Sequence, residues 1–501
     1  MNDARTSQPT ETRHRGALTG TFGGVAVLVI LYAGALYLPF LGSGRTLTRH
    51  EAMIVQPAEH MRVHGNWLVP QYAGGPWVHK PPLMTWVTVP FLMVAGGFNE
   101  FAARLPEALT TIGLCVLMAG LAWRFYGWAA ALLAGLIQAT MVYTYTQGRL
   151  AESDMMLILL VTGAHGVLAW HWREGGMRLP LASAVLYHSL IGLAILTKGP
   201  PAIAFAGMTV VTFALVRRSL KPITAVLLTP ALACSIVIGF WWYGAVTFAL
   251  GDWAVGRWEY SYFQRFLGGY HMGTKPLPYY FYTIPWLVLP WTIALLLGAR
   301  RLVQDARRPT AYLERFLWCW FFGGVVFVTL SVFKHKHYCF PVLPPLTLLA
   351  AKLMAEHGVR EGRRAWRFYA AVFVVALVAY NVVGGVVMPR RDHRRATVEF
   401  VRSALTQVPD DVDLYLAGLA QSALYPYIER PCVYLRDQQE VEAAVNAPPA
   451  DPMWVLTYRK HLGVVQRQGL RFEEVAGEPV RRKYPLPETL VLGRIYFDKR
   501  P

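Results

Sequence analysis

The sequence predicts a mainly α-helical protein that crosses a membrane many times and carries a small α/β domain after its last span. Three observations predict this class. Of the 501 residues, 54% are hydrophobic and only 16% are charged, whereas a soluble domain carries about 25% charged residues. The apolar residues gather into runs close to the roughly 20 residues that a helix needs to cross a bilayer. After residue 390 those runs give way to short strand-like and helix-like pieces.

The elements follow in order. Residues 1–17 are polar, and Arg13, His14 and Arg15 precede the apolar run Leu18–Leu41. That run is too long for a cleaved signal's apolar core and lacks a small-x-small cleavage site, so it reads as a retained signal-anchor with its basic flank cytoplasmic. Further spans are predicted near 106–123, 128–146, 154–171, 181–197, 200–216, 223–248, 279–299, 314–333, 339–355 and 367–388, about eleven with the first. The run Leu83–Gly96 is short and reads as interfacial or re-entrant. The basic connections 171–178, 217–221, 300–315 and 356–367 then fall on one side, as the positive-inside rule requires. The opposite side receives 42–105, 147–153, 198–199, 249–278, 334–338 and the tail, so the unusual polar stretches share one extracytoplasmic face. In the tail, DVDLYLAGLA, CVYLR, MWVLTYRK and ETLVLGRIYF read as strands and QQEVEAAVNA as a helix. Two domains are expected, a membrane domain at 1–390 with a large outer loop at 42–105, and an extracytoplasmic α/β domain at 391–501.

The net charge of +18 sits mostly in short loops between apolar runs. There it sets topology and meets anionic lipid, which excludes a nucleic-acid-binding reading. The five cysteines are odd in number and scattered. They imply neither a disulfide framework nor a metal–thiolate site.

The first outer loop is the longest polar interruption in the first half of the chain. It opens with Thr48-Arg49-His50-Glu51. Thr-x-x-Glu ahead of an apolar run is a capping box, while a carboxylate near a sugar hydroxyl serves as a general base; Glu51 fits both. Lys80, held between His79 and Pro81-Pro82, is either a solvated lysine before a helix start or a point charge for a phosphate. In 148–154, Arg149, Glu152 and Asp154 crowd one short loop, where ionisable groups next to a membrane are costly and often functional. Lys198, in Thr-Lys-Gly-Pro-Pro, either snorkels or meets a phosphate. In the 249–280 loop, Arg265 offers a bidentate fork to phosphate. Glu259, His271 and His79 are candidates for a divalent metal, although no tight ligand spacing supports one. The cluster Lys334-His335-Lys336-His337-Tyr338 faces outward against the positive-inside bias, which asks for an anionic partner.

LTRHEA, GNWLVPQYAGGPWVHKPPL, NEFAARLPEAL, GRLAESDMML, LAILTKGPPAIAF, QRF at 264–266 and LSVFKHKHYCFPVLPPLTLLA together resemble, in this order, the bacterial lipid-carrier-dependent glycosyltransferases. These include the lipid A aminoarabinose transferases and, more distantly, the protein O-mannosyltransferases. The likeness covers roughly residues 20–355. It implies a GT-C fold with juxtamembrane helices in the first outer loop, placed in a bacterial inner membrane. It also implies transfer of a sugar from a polyprenyl phosphate, with inversion, to a lipid, glycan or protein acceptor. The family's first-loop acidic pair falls on His50-Glu51, its second acidic position on Asp154, and its phosphate-binding groups on Lys80, Arg265, Lys198, Lys334, Lys336 and Tyr338. His50 stands where an aspartate is usual. Glu51 or Asp154 then serves as base, His50 does so itself, or the chain is an inactive scaffold. A transporter or flippase of lipid-linked sugars is the other alternative, though it would more naturally show inverted repeats and charges on both sides.

Overall fold

The computed structural model describes residues 21–268, 275–419, 423–448, 450–463, 465, 470–480 and 488–497. It is mainly helical. Helix α1 (Phe22–Tyr37) leads into the first loop, which folds into α2 (Arg49–His64), the two-residue strands β1 (Gln71–Tyr72) and β2 (Gly75–Pro76), and α3 (Leu83–Val94). At 12 residues, α3 is too short to span a bilayer, as expected for the Leu83–Gly96 run. Then come α4 (Glu100–Tyr126), α5 (Trp128–Thr140), α6 (Val142–Gln147), α7 (Asp154–Trp172), α8 (Leu181–Lys198), α9 (Pro201–Arg217), α10 (Lys221–Leu227) and α11 (Leu232–Leu250). Next are α12 (Asp252–Trp258), a π-helical turn over Glu259–Gln264, α13 (Arg265–Leu267), α14 (Tyr279–Val288), α15 (Thr292–Leu297), α16 (Ala299–Arg307) and α17 (Tyr312–Leu330). A 3₁₀ segment (Lys336–Val342) precedes α18 (Pro344–Glu361), and α19 (Arg363–Val382) follows.

Among the described residues, six helices are long and apolar enough to cross a membrane: α4, α7, α8, α11, α17 and the rod Arg363–Arg391 that begins with α19. A seventh arises if the 3₁₀ segment and α18, bent by 57°, form one span. The expected count of about eleven also takes in shorter apolar helices, among them α1, α5 and α9. Several apolar runs are interrupted before they reach spanning length. Residues 128–146 break at Met141, which adopts an extended conformation between α5 and α6. Pro230 separates α10 from α11 and Pro290 separates α14 from α15, because proline cannot donate the helical hydrogen bond and clashes with the preceding turn. Helices α1 and α9 have 16 and 17 residues. Hydropathy sees the run but not the break inside it.

The bundle core is aromatic. Trp172 of α7 stacks on Phe213 of α9, with centroids 5.6 Å apart, and Phe316 of α17 meets both rings edge-on. After the bundle, β3 (Leu414–Ala417), β4 (Cys432–Leu435), β5 (Met453–Tyr458), β6 (Arg471–Gly477) and β7 (Leu490–Tyr496) form one sheet in the order β4-β3-β5-β7-β6. Strand β3 pairs in parallel with β4 and β5, while β7 is antiparallel to β5 and β6. Side chains alternate faces along a strand, and both faces of this sheet are covered. Leu414, Leu416 and Leu456 join one apolar cluster, and Tyr415, Ala417 and Val455 join another.

The first of these clusters also contains Ala52, Val55 and Ala58 of α2, so the sheet docks on the first-loop helix. Polar contacts reinforce the docking. The amide of Thr46 donates to Asp392 Oδ2 at 2.7 Å, that of Leu47 to the Tyr427 hydroxyl at 2.8 Å, and Gln56 Nε2 to the Tyr434 hydroxyl at 2.9 Å.

The outer layer is fastened to the bundle by Arg104 of α4, which is 1% exposed. Its Nε donates to Glu51 Oε1 at 2.7 Å, and its two Nη groups donate to the carbonyls of Leu41, Arg45 and Thr46. Removing one member of a buried ion pair strands the other charge and costs about 3–5 kcal/mol. R104M is therefore expected to destabilise the protein by about that amount, read as a lowered unfolding midpoint in detergent. A midpoint equal to wild type would show that the pair does not hold the two layers together.

Candidate active site

A cavity of about 380 Å³ opens where the ends of α7, α8 and α17 meet the first loop, the Glu259–Leu267 turn and the 3₁₀ segment. Its polar lining is His79, Lys80, Asp154, Lys198, Tyr262, His337 and Tyr338, and the charges of Lys80, Asp154 and Lys198 act on His337. Its apolar lining includes Phe205, Phe263, Phe266, Leu267 and Phe327, with Phe327 packed against both Phe205 and Phe266. The ionisable lining residues lie in or next to segments that the positive-inside reading assigns to a single side.

Asp154 reaches the cavity because α6 stops at Gln147 and the chain restarts as α7 with Asp154 as its first residue, a position where a carboxylate is favoured by the helix dipole. Asp154 is buried and its Oδ1 pairs with the ammonium of Lys198, the last residue of α8. Gln147 Nε2 donates to Glu152 Oε2 at 3.0 Å and approaches Asp154 Oδ2 at 3.4 Å, so one amide bridges two carboxylates. Glu152 is half-buried. Desolvation, with the charge of Asp154 beside it, pushes its carboxyl up to about 7 against the pull of Lys80 and Lys198. Arg149 has a structural place instead: it donates to the carbonyls of Leu36, Tyr37 and Pro39 at the end of α1.

In the first loop, the capping box forms. Glu51 Oε2 accepts the Thr48 amide at 2.7 Å and Thr48 Oγ1 accepts the Glu51 amide at 3.2 Å. Glu51 is fully buried, receives Arg104, and also accepts the Ala151 amide at 3.1 Å. Burial alone would raise its pKa. Arg104 and Arg45, with the hydrogen bonds, overcome that and hold it at about 2. Glu51 does not line the cavity. His50 keeps part of its surface exposed, but protein crowds its ring. That desolvation and the cations of Lys80 and Arg49 lower it to about 4, against the pull of Asp154. His50 also lies outside the lining. His79 Nδ1 and Ser261 Oγ are 2.8 Å apart and tie the first loop to the Glu259–Gln264 turn across the cavity wall.

The structure therefore brings five of the sequence candidates together: His79, Lys80, Asp154, Lys198 and Tyr338. Lys334 is buried beside them, but its ammonium donates to the Ser331 carbonyl at 2.7 Å, while Lys336 is exposed, and neither lines the cavity. Arg265 opens α13, in the turn that supplies Phe263 and Phe266; its side chain lies outside the described residues. His271 also lies outside them. Glu259 is exposed and away from the lining. Among the described residues no three His, Cys, Asp or Glu side chains converge as a metal site requires; His271, the third suggested ligand, is not among them. Sequence reasoning missed Gln147, Arg104, Ser261 and His337 as site or support residues. His337 carried a signal through its place in the basic cluster predicted to face outward, and Arg104 through its place in the NEFAARLPEAL motif.

The overall arrangement matches solved structures. The crystal structure of ArnT from Cupriavidus metallidurans bound to undecaprenyl phosphate superposes with a TM-score of 0.73 at 19% identity, covering 94% of this chain and 97% of that one. The fold is that of ArnT. The Archaeoglobus fulgidus oligosaccharyltransferase follows with a TM-score of 0.55 at 10% identity, over 88% of this chain and 70% of that one. In sequence, residues 79–243 match the family described as dolichyl-phosphate-mannose-protein mannosyltransferase. The undecaprenyl phosphate-alpha-4-amino-4-deoxy-L-arabinose arabinosyl transferase 2 of Proteus mirabilis is 28% identical over 371 residues, which is 72% of this chain and 65% of that protein. The chain spans less than two thirds of the length of this and the next curated relatives. It thus combines the ArnT fold with a sequence resembling the polyprenyl-phosphate-dependent glycosyltransferases.

The raised Glu152 carboxyl gives a pH signature. A carboxyl that holds its proton more tightly folded than unfolded makes stability fall as pH rises from about 4.5 through about 7. E152Q is expected to flatten that part of the unfolding-midpoint profile between pH 5 and pH 8. An unchanged slope would mean that Glu152 is not crowded by Asp154 in solution.

Proposed function

We propose that this chain is an enzyme that moves a sugar from a polyprenyl-phosphate carrier to a hydroxyl of a lipid, glycan or protein acceptor. The reaction takes place at the extracytoplasmic face of a bacterial inner membrane, with inversion at the anomeric carbon. The observation that carries this reading is the mixed lining of the cavity, which joins two lysines to a cluster of packed phenylalanines. A polyprenyl phosphate combines the same two characters. Its isoprenoid tail suits Phe205, Phe263, Phe266 and Phe327, and its phosphate suits Lys80, Lys198 and Tyr338, with Arg265 supplied from the adjoining turn. Positive groups set where negative charge develops on the leaving phosphate stabilise the transition state more in a water-poor site than they would in water. The name of the Proteus mirabilis relative and the lipid bound in the ArnT crystal structure support the same ligand class.

In this reading residues 1–390 form the membrane-embedded transferase, with the N-terminus cytoplasmic. Residues 391–501 form an extracytoplasmic domain that packs on the first loop. The Asp154–Lys198 pair holds the lysine where the phosphate arrives. A flippase would need polar groups leading from one face to the other, whereas the ionisable lining here comes from segments that the charge pattern assigns to a single side.

Two measurements test the proposal. The purified full chain should bind undecaprenyl phosphate, and K80A and K198A should each weaken binding about tenfold or more, the worth of a charge-assisted hydrogen bond. Deleting the gene should accumulate one polyprenyl-phosphate sugar and remove one sugar mass from an envelope glycoconjugate, read by mass spectrometry. Unchanged pools in a strain without a redundant enzyme would sink the transferase reading.

A further inference from the structure

The transfer proposed above leaves one proton without a destination. As the acceptor oxygen bonds to the anomeric carbon, the bond from that carbon to the phosphate oxygen breaks and its electron pair leaves on the phosphate. The hydroxyl proton must pass to a group at the cavity. The two carboxylates expected for this task are already engaged. Glu51 receives Arg104 and the amides of Thr48 and Ala151 and stands outside the lining. Asp154 lines the cavity, but Lys198 holds Oδ1 and Gln147 approaches Oδ2. His79 lines the cavity with Nδ1 engaged by Ser261.

We infer that His337, whose imidazole lines the cavity, takes the proton from the acceptor hydroxyl, and that Asp154 acts as a positioning residue through Lys198. The inference rests on the transferase reading. The ring of His337 is fixed by aromatic contacts, with centroids 5.2 Å from His335 in a stack, 4.8 Å from Tyr338 edge-on and 6.5 Å from Phe340. Neither of its nitrogens hydrogen-bonds to a described residue, so a lone pair is open to a ligand in the cavity. The groups whose charge acts on it are Asp154 from α7, Lys198 from α8, Lys80 from the first loop and His335 from its own segment. Burial, with the cations of Lys198 and Lys80 beside it and against the pull of Asp154, lowers the pKa of this imidazole well below its ordinary value, so the ring is neutral at physiological pH and its lone pair is available to accept a proton. The carbon–oxygen exchange and the proton then balance: the acceptor loses H⁺ to His337, and the carrier leaves as polyprenyl phosphate held by the lysines.

The test uses full-length protein in liposomes, the lipid extract of the deletion strain as donor, and envelope fractions of that strain as acceptor. Undecaprenyl phosphate binding is measured in parallel. H337Q should bind undecaprenyl phosphate within twofold of wild type, which also reports folding. Its transfer rate should fall about 10²–10⁴-fold, the usual worth of a general base. The wild-type rate should drop only well below the ordinary histidine pKa, because burial keeps the imidazole neutral until then and a protonated imidazole cannot accept the proton, and H337Q should lose that acid limb. D154N should weaken undecaprenyl phosphate binding. Two outcomes overturn the inference: H337Q keeping both rate and acid limb, or D154N binding normally while losing rate and acid limb. Wild-type protein that fails to bind undecaprenyl phosphate overturns the transferase reading itself.

Discussion

The outer layer of this protein depends on one buried guanidinium. Arg104 sits where water is scarce, and leaving such a cation unpaired costs several kcal/mol. Its donors reach the Glu51 carboxylate and three carbonyls of the chain entering the first loop. Glu51 in turn accepts the amides of Thr48, which starts α2, and Ala151, three residues before Asp154. A single chain of hydrogen bonds thus links a membrane helix, the first outer loop and the start of α7. The carboxylate of Asp154 stands where it does because the turn before it is tied to the same anchor.

At the cavity the charges are arranged with little surplus. Lys198 is paired with Asp154, which lowers the cost of keeping an ammonium in a half-buried position. For the lipid phosphate proposed as donor, Lys198 would already be held in place, so less side-chain freedom would be lost on binding. The packed phenylalanines would likewise present the tail with a preformed surface and little reorganisation to impose.

Much of this architecture was legible in the sequence, for physical reasons. Long apolar runs and clustered charge report on the bilayer directly, so the helical class, the shortness of α3 and the grouping of the polar segments could be read. The capping box at Thr48 and Glu51 is local, and it formed. Lys80, Asp154, Lys198 and Tyr338 were visible because ionisable or aromatic groups beside spans are conspicuous. What could not be read depended on distant partners. Nothing near Glu51 announces Arg104, and nothing near Lys334 shows that its ammonium will meet the Ser331 carbonyl rather than the cavity. The breaks at Met141 and Pro290 divided runs that hydropathy counts as whole. His337 and Lys336 are neighbours of similar character. Only the turn of the 3₁₀ segment decides which faces inward.

The docking of the sheet on α2 carries a consequence for biogenesis. Thr46 and Leu47 are bound by Asp392 and Tyr427, residues separated from them by 346 and 380 positions. Strand β7, the last along the chain among the described residues, lies between β5 and β6 rather than at an edge. The first loop therefore emerges from the ribosome long before its covering exists, and it must wait, apolar face uncovered, while the whole bundle is inserted. Nascent chains stalled before residue 490 would carry every ionisable residue of the cavity lining yet lack the strand that closes the sheet over the loop. The surveillance machinery of the membrane has a defined species to recognise during that interval.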